Sequence, residues 1–419
     1  MFSFKEIKDL TNYISRGISP KYGNSGYIVI NQRCIRKNLI KFYNSRFSVS
    51  EKKFNKKKFL EQWDVLVNST GIGTLGRVAQ FKNKNISKKI TVDSHVTIVR
   101  PNLNKIYGPY FGYAFVYVED LIKTLGKGTT GQTELSREDL YKMKIPVPDL
   151  PQQKKISSIL ANYDVLIENN YKRIKILEKL LHHIYSEWFI NFNFSNNQNS
   201  NIFNSEIGKI PSNWDYKSIL DNPFFSLISE NIRPYEGFKK YYATSDINKI
   251  DIVGKGIEYK YKDKPSRAQK IPKINSCWFA RMQNTYKILA FTDINSERLS
   301  NEMFSSGFAG LQAKERIFFP YLFCTINSNQ FHKKKDALCS GSTQRAINNK
   351  SLKFLKVISP TEELVKLFGN KTISLIEEII LLQKKNTLLI KTREILLSKF
   401  LSNLIDISEI KINSGIKVA

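Results

Sequence analysis

Three stretches of the chain carry residue types that do chemistry in other proteins. Gly71-Ile72-Gly73-Thr74-Leu75-Gly76 matches G-x-G-x-x-G, in which backbone N–H groups at a helix N-terminus cradle a pyrophosphate. Here Arg77-Val78-Ala79-Gln80-Phe81 follows with the alternation of a strand, so the glycines predict a hairpin turn rather than a dinucleotide cradle. Asp221-Asn222-Pro223-Phe224 has the polar and aromatic character of a loop that methylates amino groups. It has one proline, and no glycine-rich cofactor loop stands upstream in the right setting, so a loop leading into a strand is the better reading. Asp251 with Glu258-Tyr259-Lys260 supplies carboxylates of the kind that hold Mg²⁺ in nucleases, but so short a pattern arises by chance in a lysine-rich chain.

The remaining metal-binding types do not converge. His95, His182, His183 and His332 are adjacent or far apart, and Cys34, Cys277, Cys324 and Cys339 form no C-x-x-C pair. No catalytic residue, no metal ligand and no cofactor is therefore expected on this chain. Free cysteines fit a reducing cytoplasm. Met1 to Leu10 carries charges throughout, and the longest apolar run, Ile317 to Ile326, is half a membrane span and contains Pro320. It predicts a buried strand or short helix, and no membrane partner is expected.

The charge points outward instead. Lysine and arginine number 66 against 37 acidic residues, a formal net charge of +29 over 419 residues. That balance favours a polyanionic partner, nucleic acid first, although a chain rich in Lys, Asn and Ile also fits an AT-rich coding sequence. Apolar content of 41% is enough for two domains with real cores.

Two long helices must position whatever reads that partner. Tyr163, Ile167, Asn170, Ile174, Leu177, Leu181, Ile184 and Trp188 are spaced four, three, four, three, the seam of a coiled coil. Leu375, Ile379, Leu382, Asn386, Leu389, Arg393, Leu396 and Phe400 repeat the stepping 212 positions on. Asn170 and Asn386 are placed to fix register by pairing polar groups, and Arg393 must snorkel or meet a carboxylate. Each helix has a capping entrance, Asp149-Leu150-Pro151-Gln152 and Ser359-Pro360-Thr361-Glu362. A polar glycine loop precedes each: Gly128-Thr129-Thr130-Gly131-Gln132 and Gly341-Ser342-Thr343-Gln344. The chain thus reads as an internal repeat. Its parts are a first globe (1–148), a long helix (149–190), an Asn- and Ser-rich linker (191–209), a second globe (210–359), a second long helix (360–405) and a tail (406–419). The helices repeat more clearly than the globes, which suggests like scaffolds with unlike recognition surfaces. Matching seams on one chain most simply pack antiparallel, as a ruler of roughly 50 Å, to be compared with a DNA turn of about 34 Å.

At this point the chain resembles the specificity subunit of a type I restriction–modification system. The carriers are Trp63-Asp64-Val65-Leu66-Val67-Asn68-Ser69-Thr70-Gly71 with Gly76-Arg77-Val78-Ala79, Gly128 to Gln132 with Leu135, Ile145-Pro146-Val147-Pro148, and Gln153-Lys154-Lys155-Ile156 through Leu160, Asp164 and Leu177-Glu178 to Tyr185 and Trp188-Phe189. The second copy departs from the pattern, with Glu362-Glu363-Leu364 at its helix start and only a loose echo of Trp63 to Asn68 in Ser276 to Arg281.

The resemblance implies an α+β fold with two α/β target recognition domains, separated by two long antiparallel helices that form an intramolecular coiled coil with a pseudo-twofold repeat. It implies that the two domains read the halves of a bipartite, asymmetric site in double-stranded DNA. Two methyltransferase subunits would clasp the chain, restriction subunits would join them, and S-adenosylmethionine, ATP and Mg²⁺ would belong to those partners. For base readout, polar and basic loop residues are the candidates: Ser69, Thr70, Arg77, Lys82, Lys84, Thr129 and Gln132 in the first globe, and Arg281, Gln283, Asn284, Ser342, Gln344 and Arg345 in the second. Lys52 to Lys58 and Lys333-Lys334-Lys335 are candidates for phosphate contact. The alternatives are an architectural spacer with sequence-blind affinity and a self-contained nuclease or methyltransferase.

Overall fold

A computed structural model describes residues 2–49, 55–71, 73–83, 89–128, 133–194, 202–205, 208–342 and 344–407. The chain divides into two units, residues 1–166 with 389–419, and residues 167–388. Each long helix is 40 residues, Leu150–Phe189 and Glu362–Leu401, and their bounds differ by 212 at both ends. Each helix gives one part to each unit.

The first unit is built on a four-stranded antiparallel sheet. Strand Val96–Pro101 lies between Thr11–Arg16 and Val65–Asn68, and Val78–Gln80 closes the edge. The inner strands Val65–Asn68 and Val96–Pro101 are rich in β-branched residues and buried on both faces, so they read as apolar runs rather than as alternation. The period of two still sorts the faces. Val65, Val67, Val78 and Val99 pack toward helix Gly108–Tyr117 and the helix residues Ile156, Leu160, Leu397 and Phe400. Leu66, Ala79, Val96 and Ile98 pack the other way, on Ile30, Ile90 and Val92 of a second sheet. The result is helix, sheet, sheet.

The second unit repeats this at the backbone level, beyond what its sequence suggests. Strand Phe308–Ala313 sits 212 positions from Val96–Pro101 at both ends, flanked by Phe225–Ile228 and Ser276–Ala280. Cys277 and Phe279 face one apolar cluster, and Trp278 and Ala280 the other. Gly310 makes room for the Trp278 indole, since a Cβ there would lie 2.6 Å from the ring. Parallel pairing of Ile90–Val92 with Tyr27–Ile30 recurs as Glu302–Ser305 with Lys239–Tyr242. Even the left-handed residues recur: Lys37 and Lys249 at φ 51° and 53°, Trp63 and Asn275 at 74° and 54°. Asparagine adopts that conformation readily and tryptophan does not, so the backbone holds its shape where the side chain argues against it.

Each unit is closed by pairing an early strand with the strand that feeds its helix. Ser3 pairs with Val147, and 212 positions on Asp215 pairs with Ser359. At the first helix entrance Asp149 accepts the Gln152 N–H as expected. The lock, however, is Gln153, whose Nε2 donates to the Pro148 carbonyl while its Oε1 accepts the Tyr107 N–H. The second helix begins at Glu362, so Pro360 lies ahead of it rather than in its first turn. The expected linker also holds structure. Ile202–Ser205 and Gly208–Pro211 form a hairpin, and Phe192 and Phe194 pack on Trp214. The Asn- and Ser-rich composition of 191–209 masks these few aromatic anchors.

Every one of the sixteen seam residues is buried or half-buried, whereas Val165, Leu166, Ile176, Leu180, Leu388 and Ile395 on the same helices are exposed. In the second unit the Asn170 Nδ2 donates to the Asn386 Oδ1 at 2.9 Å, and Arg173 meets Glu378, so the helix segments run antiparallel. In the first unit Arg393 meets Asp164 at 2.6 Å, and that carboxylate also takes Lys82 at 2.8 Å and the Tyr113 hydroxyl at 2.7 Å. Burial pushes the Asp164 carboxyl up, but Lys82 and Arg393 outweigh it and hold the group below the usual range.

The residues 212 positions away, Ile376 and Leu181, belong to one apolar cluster of the second unit. Asp164→Ala leaves the Arg393 guanidinium buried without its partner and is expected to cost about 3–5 kcal/mol. The triple change Asp164→Ile, Arg393→Leu, Tyr113→Phe copies the apolar solution and should restore most of that stability in urea unfolding. A triple variant no more stable than Asp164→Ala would show that the cluster stabilises by its charges.

Candidate nucleic-acid interface

The candidate residues cluster on two loops in each unit. In the first unit one loop joins strands Val65–Asn68 and Val78–Gln80, which are antiparallel neighbours, so the three glycines serve a hairpin and no helix follows them. Asn68 shapes this turn from inside: its Nδ2 donates to the Gln32 and Thr74 carbonyls. Gly76, at φ 78°, faces the backbone of Lys123, which a Cβ would meet at 2.8 Å. The second loop spans Lys127 to Glu134, which exchange two backbone hydrogen bonds. The Leu135 N–H then donates to the Ser69 carbonyl at 2.8 Å and ties the two loops together. Arg16 braces the junction, pairing with Glu134 and donating to the Leu135 carbonyl.

The same joinery occurs in the second unit with other side chains. Ser340 and Ala346 exchange two backbone bonds, and the Ile347 N–H donates to the Arg281 carbonyl at 3.0 Å. Ser69 and Arg281 thus occupy one structural position, 212 residues apart. The Ser69 N–H donates to the His95 carbonyl, and the Arg281 N–H to Gly307, again 212 apart.

The structure separates the candidates by availability. Ser69 is fully buried, and its hydroxyl shares hydrogen bonds with Thr97 Oγ1 and the Val67 carbonyl, so it is a framework residue and not a base reader. Thr70 pairs with His95 Nδ1 at 2.7 Å. Arg77 donates to the Gly73 carbonyl, and burial together with Arg36 lowers its pKa. Lys82 is committed to Asp164 and belongs to the helix joint. Lys84, Thr129 and Gln132 lie outside the described residues, as do residues 52–54 of the first lysine run.

Arg281 spends Nε, Nη1 and Nη2 on Phe308 O, Ile347 O and Asn349 Oδ1, and burial lowers its pKa. It fastens the loop pair. Gln283 donates to the Asp336 carbonyl. Asn284, Ser342, Gln344 and Arg345 are exposed, and their side chains make no hydrogen bond among the described residues. Sequence reasoning missed Arg16, His95 and Asp336 beneath these loops and gave Lys335 a different role. The lysine run at 333–335 is by sequence a candidate for phosphate contact, yet the Lys335 side chain is fully buried and cannot reach a phosphate.

Among the described residues no group of His, Cys, Asp and Glu could hold a metal ion, and no helix is long and apolar enough to cross a membrane. Asp251 takes part in the contact to Gln383 on the second long helix, and the Asn222 side-chain Oδ1 accepts the Phe224 N–H within a turn.

Residues 2–179 match the family described as type I restriction modification DNA specificity domain. Within those residues the chain is similar to the type I restriction–modification specificity family. It is 25% identical over 242 residues to the putative type I restriction enzyme MjaX specificity subunit of Methanocaldococcus jannaschii, covering 56% of each chain. It is 33% identical over 113 residues to the MjaIX specificity subunit of the same organism, covering 27% of this chain and 26% of that one. The matches thus span about half, or a quarter, of those curated relatives. The fold is that of the type I restriction–modification S subunit from M. genitalium, with a TM-score of 0.52 at 16% identity over 96% of both chains.

Under the second loop pair lies His332, edge-on to the Tyr286 ring with centroids 4.6 Å apart and its Nδ1 buried and unpartnered among the described residues. Burial, with Lys335 beside it, lowers its pKa from 6.5 to about 4. A depressed base binds its proton more readily when unfolded, so stability is full above pH 6.5 and falls toward pH 4. The loss should be on the order of 3 kcal/mol. His332→Phe should flatten the slope of urea stability between those pH values; an unchanged slope would place the titration elsewhere.

Proposed function

We propose that the chain is the sequence-specific DNA-binding subunit of a type I restriction–modification complex, reading a bipartite and asymmetric site with one loop pair per unit. The observation that carries this reading is the duplicated joinery. One backbone frame presents Asn284, Ser342, Gln344 and Arg345 in one unit and a different loop, running from Lys127 to Glu134, in the other. Like frames with unlike side chains suit unlike half-sites, because base edges are read by side chains while the frame sets only their reach. The net charge of +29 suits phosphate contact.

In this reading the chain performs no bond-making itself. Two methyltransferase subunits bring S-adenosylmethionine to an adenine in each half-site, and restriction subunits bring ATP and Mg²⁺. Co-expression of the chain with its methyltransferase subunit should produce adenine methylation confined to one split motif in the host genome. Removing the chain should abolish that methylation. The same methylation profile with and without the chain would refute the reading.

A further inference from the structure

Lys335 sits on helix Asn329–Ala337 with its side chain fully buried. An ammonium has three N–H donors, and each has an acceptor here: the Met282 carbonyl at 2.7 Å, the Thr285 carbonyl at 3.2 Å and Asp336 Oδ1 at 2.8 Å. No donor is left for a phosphate. Asp336 completes the cradle, accepting the Asn284 N–H and the Tyr286 hydroxyl on its carboxylate and the Gln283 amide on its carbonyl. The Gln283 N–H reaches across to the Arg345 carbonyl and joins this loop to the glycine loop. Five residues, Met282 to Tyr286, are thereby fixed from beneath. Asn284 is held at φ 54° with its amide exposed.

The residue 212 positions earlier is Lys123, and it is used differently. Its ammonium pairs with Glu119 and Asp120 of its own helix and is partly exposed. In the first unit the helix meets the hairpin loop through backbone packing at Gly76, so no long side chain has to bridge the gap.

We propose that Lys335 is a positioning residue for sequence readout by the second unit: its buried ammonium sets the Met282–Tyr286 loop so that the Asn284 amide meets a base edge in the major groove. A carboxamide in fixed orientation donates to and accepts from one base at once, which suits adenine N7 and N6. A buried charge is retained at this place because a loop with free ends would lose that orientation.

This inference rests on the DNA-reading function proposed above. The test uses the full chain in complex with its methyltransferase subunit, with binding measured on the cognate site and on single-base variants of each half. Lys335→Met should lower discrimination at one half-site about tenfold or more and leave the other half unchanged. The slope of log affinity against log salt should stay the same, because no phosphate contact is lost. Asn284→Ala, an exposed change, should lose discrimination at the same base pair and serves as the readout if Lys335→Met does not fold. Retained discrimination in Asn284→Ala, equal losses in both halves, or a shallower salt slope for Lys335→Met would overturn the inference. A wild-type complex with no sequence preference would instead overturn the parent reading, and the inference with it.

Discussion

The same main-chain hydrogen bond joins the two loops of each unit, and the Arg16 and Arg281 side chains brace that joint. Leu135 N–H to Ser69 O in one unit and Ile347 N–H to Arg281 O in the other are the same bond made twice. A backbone bond does not depend on the side chain that its residue carries. Serine can therefore become arginine at one structural position without moving the frame, and the exposed side chains around it are free to differ. A scaffold fixed in this way lets recognition change while architecture stays.

The supports beneath the frames differ in chemistry though not in place. Around Asp164 the first unit joins its sheet, its core helix and both long helices through one carboxylate. The second unit fills the corresponding place with Ile376 and Leu181. A fully hydrogen-bonded ion cluster gives direction, and an apolar contact gives stability without it. Asn170 with Asn386 is the other directional contact, since one amide pair on an otherwise apolar seam fits a single register.

Much of this was legible beforehand. The seam follows from period alone and the offset of 212 from pattern and turn chemistry, whereas the apolar run Ile317 to Ile326 fits a strand or a short helix equally and forms helix Phe319–Asn327. The pairing of Arg393 with a carboxylate and of Asn170 with Asn386 follows from the cost of burying polar groups on an apolar face. The likeness of the two globes was not legible, because their strands are buried on both faces and many apolar residues satisfy such positions; Val65-Leu66-Val67 and Cys277-Trp278-Phe279 share shape and little else.

Individual site residues were the hardest to read. Ser69 and Lys82 look like surface polar residues in one dimension, and only the fold shows one buried just past a strand end and the other turned to a helix. Lys335 sits in a run of three lysines and gives no sign of burial until the loop it supports is in place.

The most direct measurement is selection from randomised DNA by the intact complex, comparing the wild-type chain with one in which Asn284, Ser342, Gln344 and Arg345 are all alanine. The account predicts that one half of the selected motif dissolves and the other persists letter for letter. A motif that weakens equally in both halves, or that does not change, would contradict it.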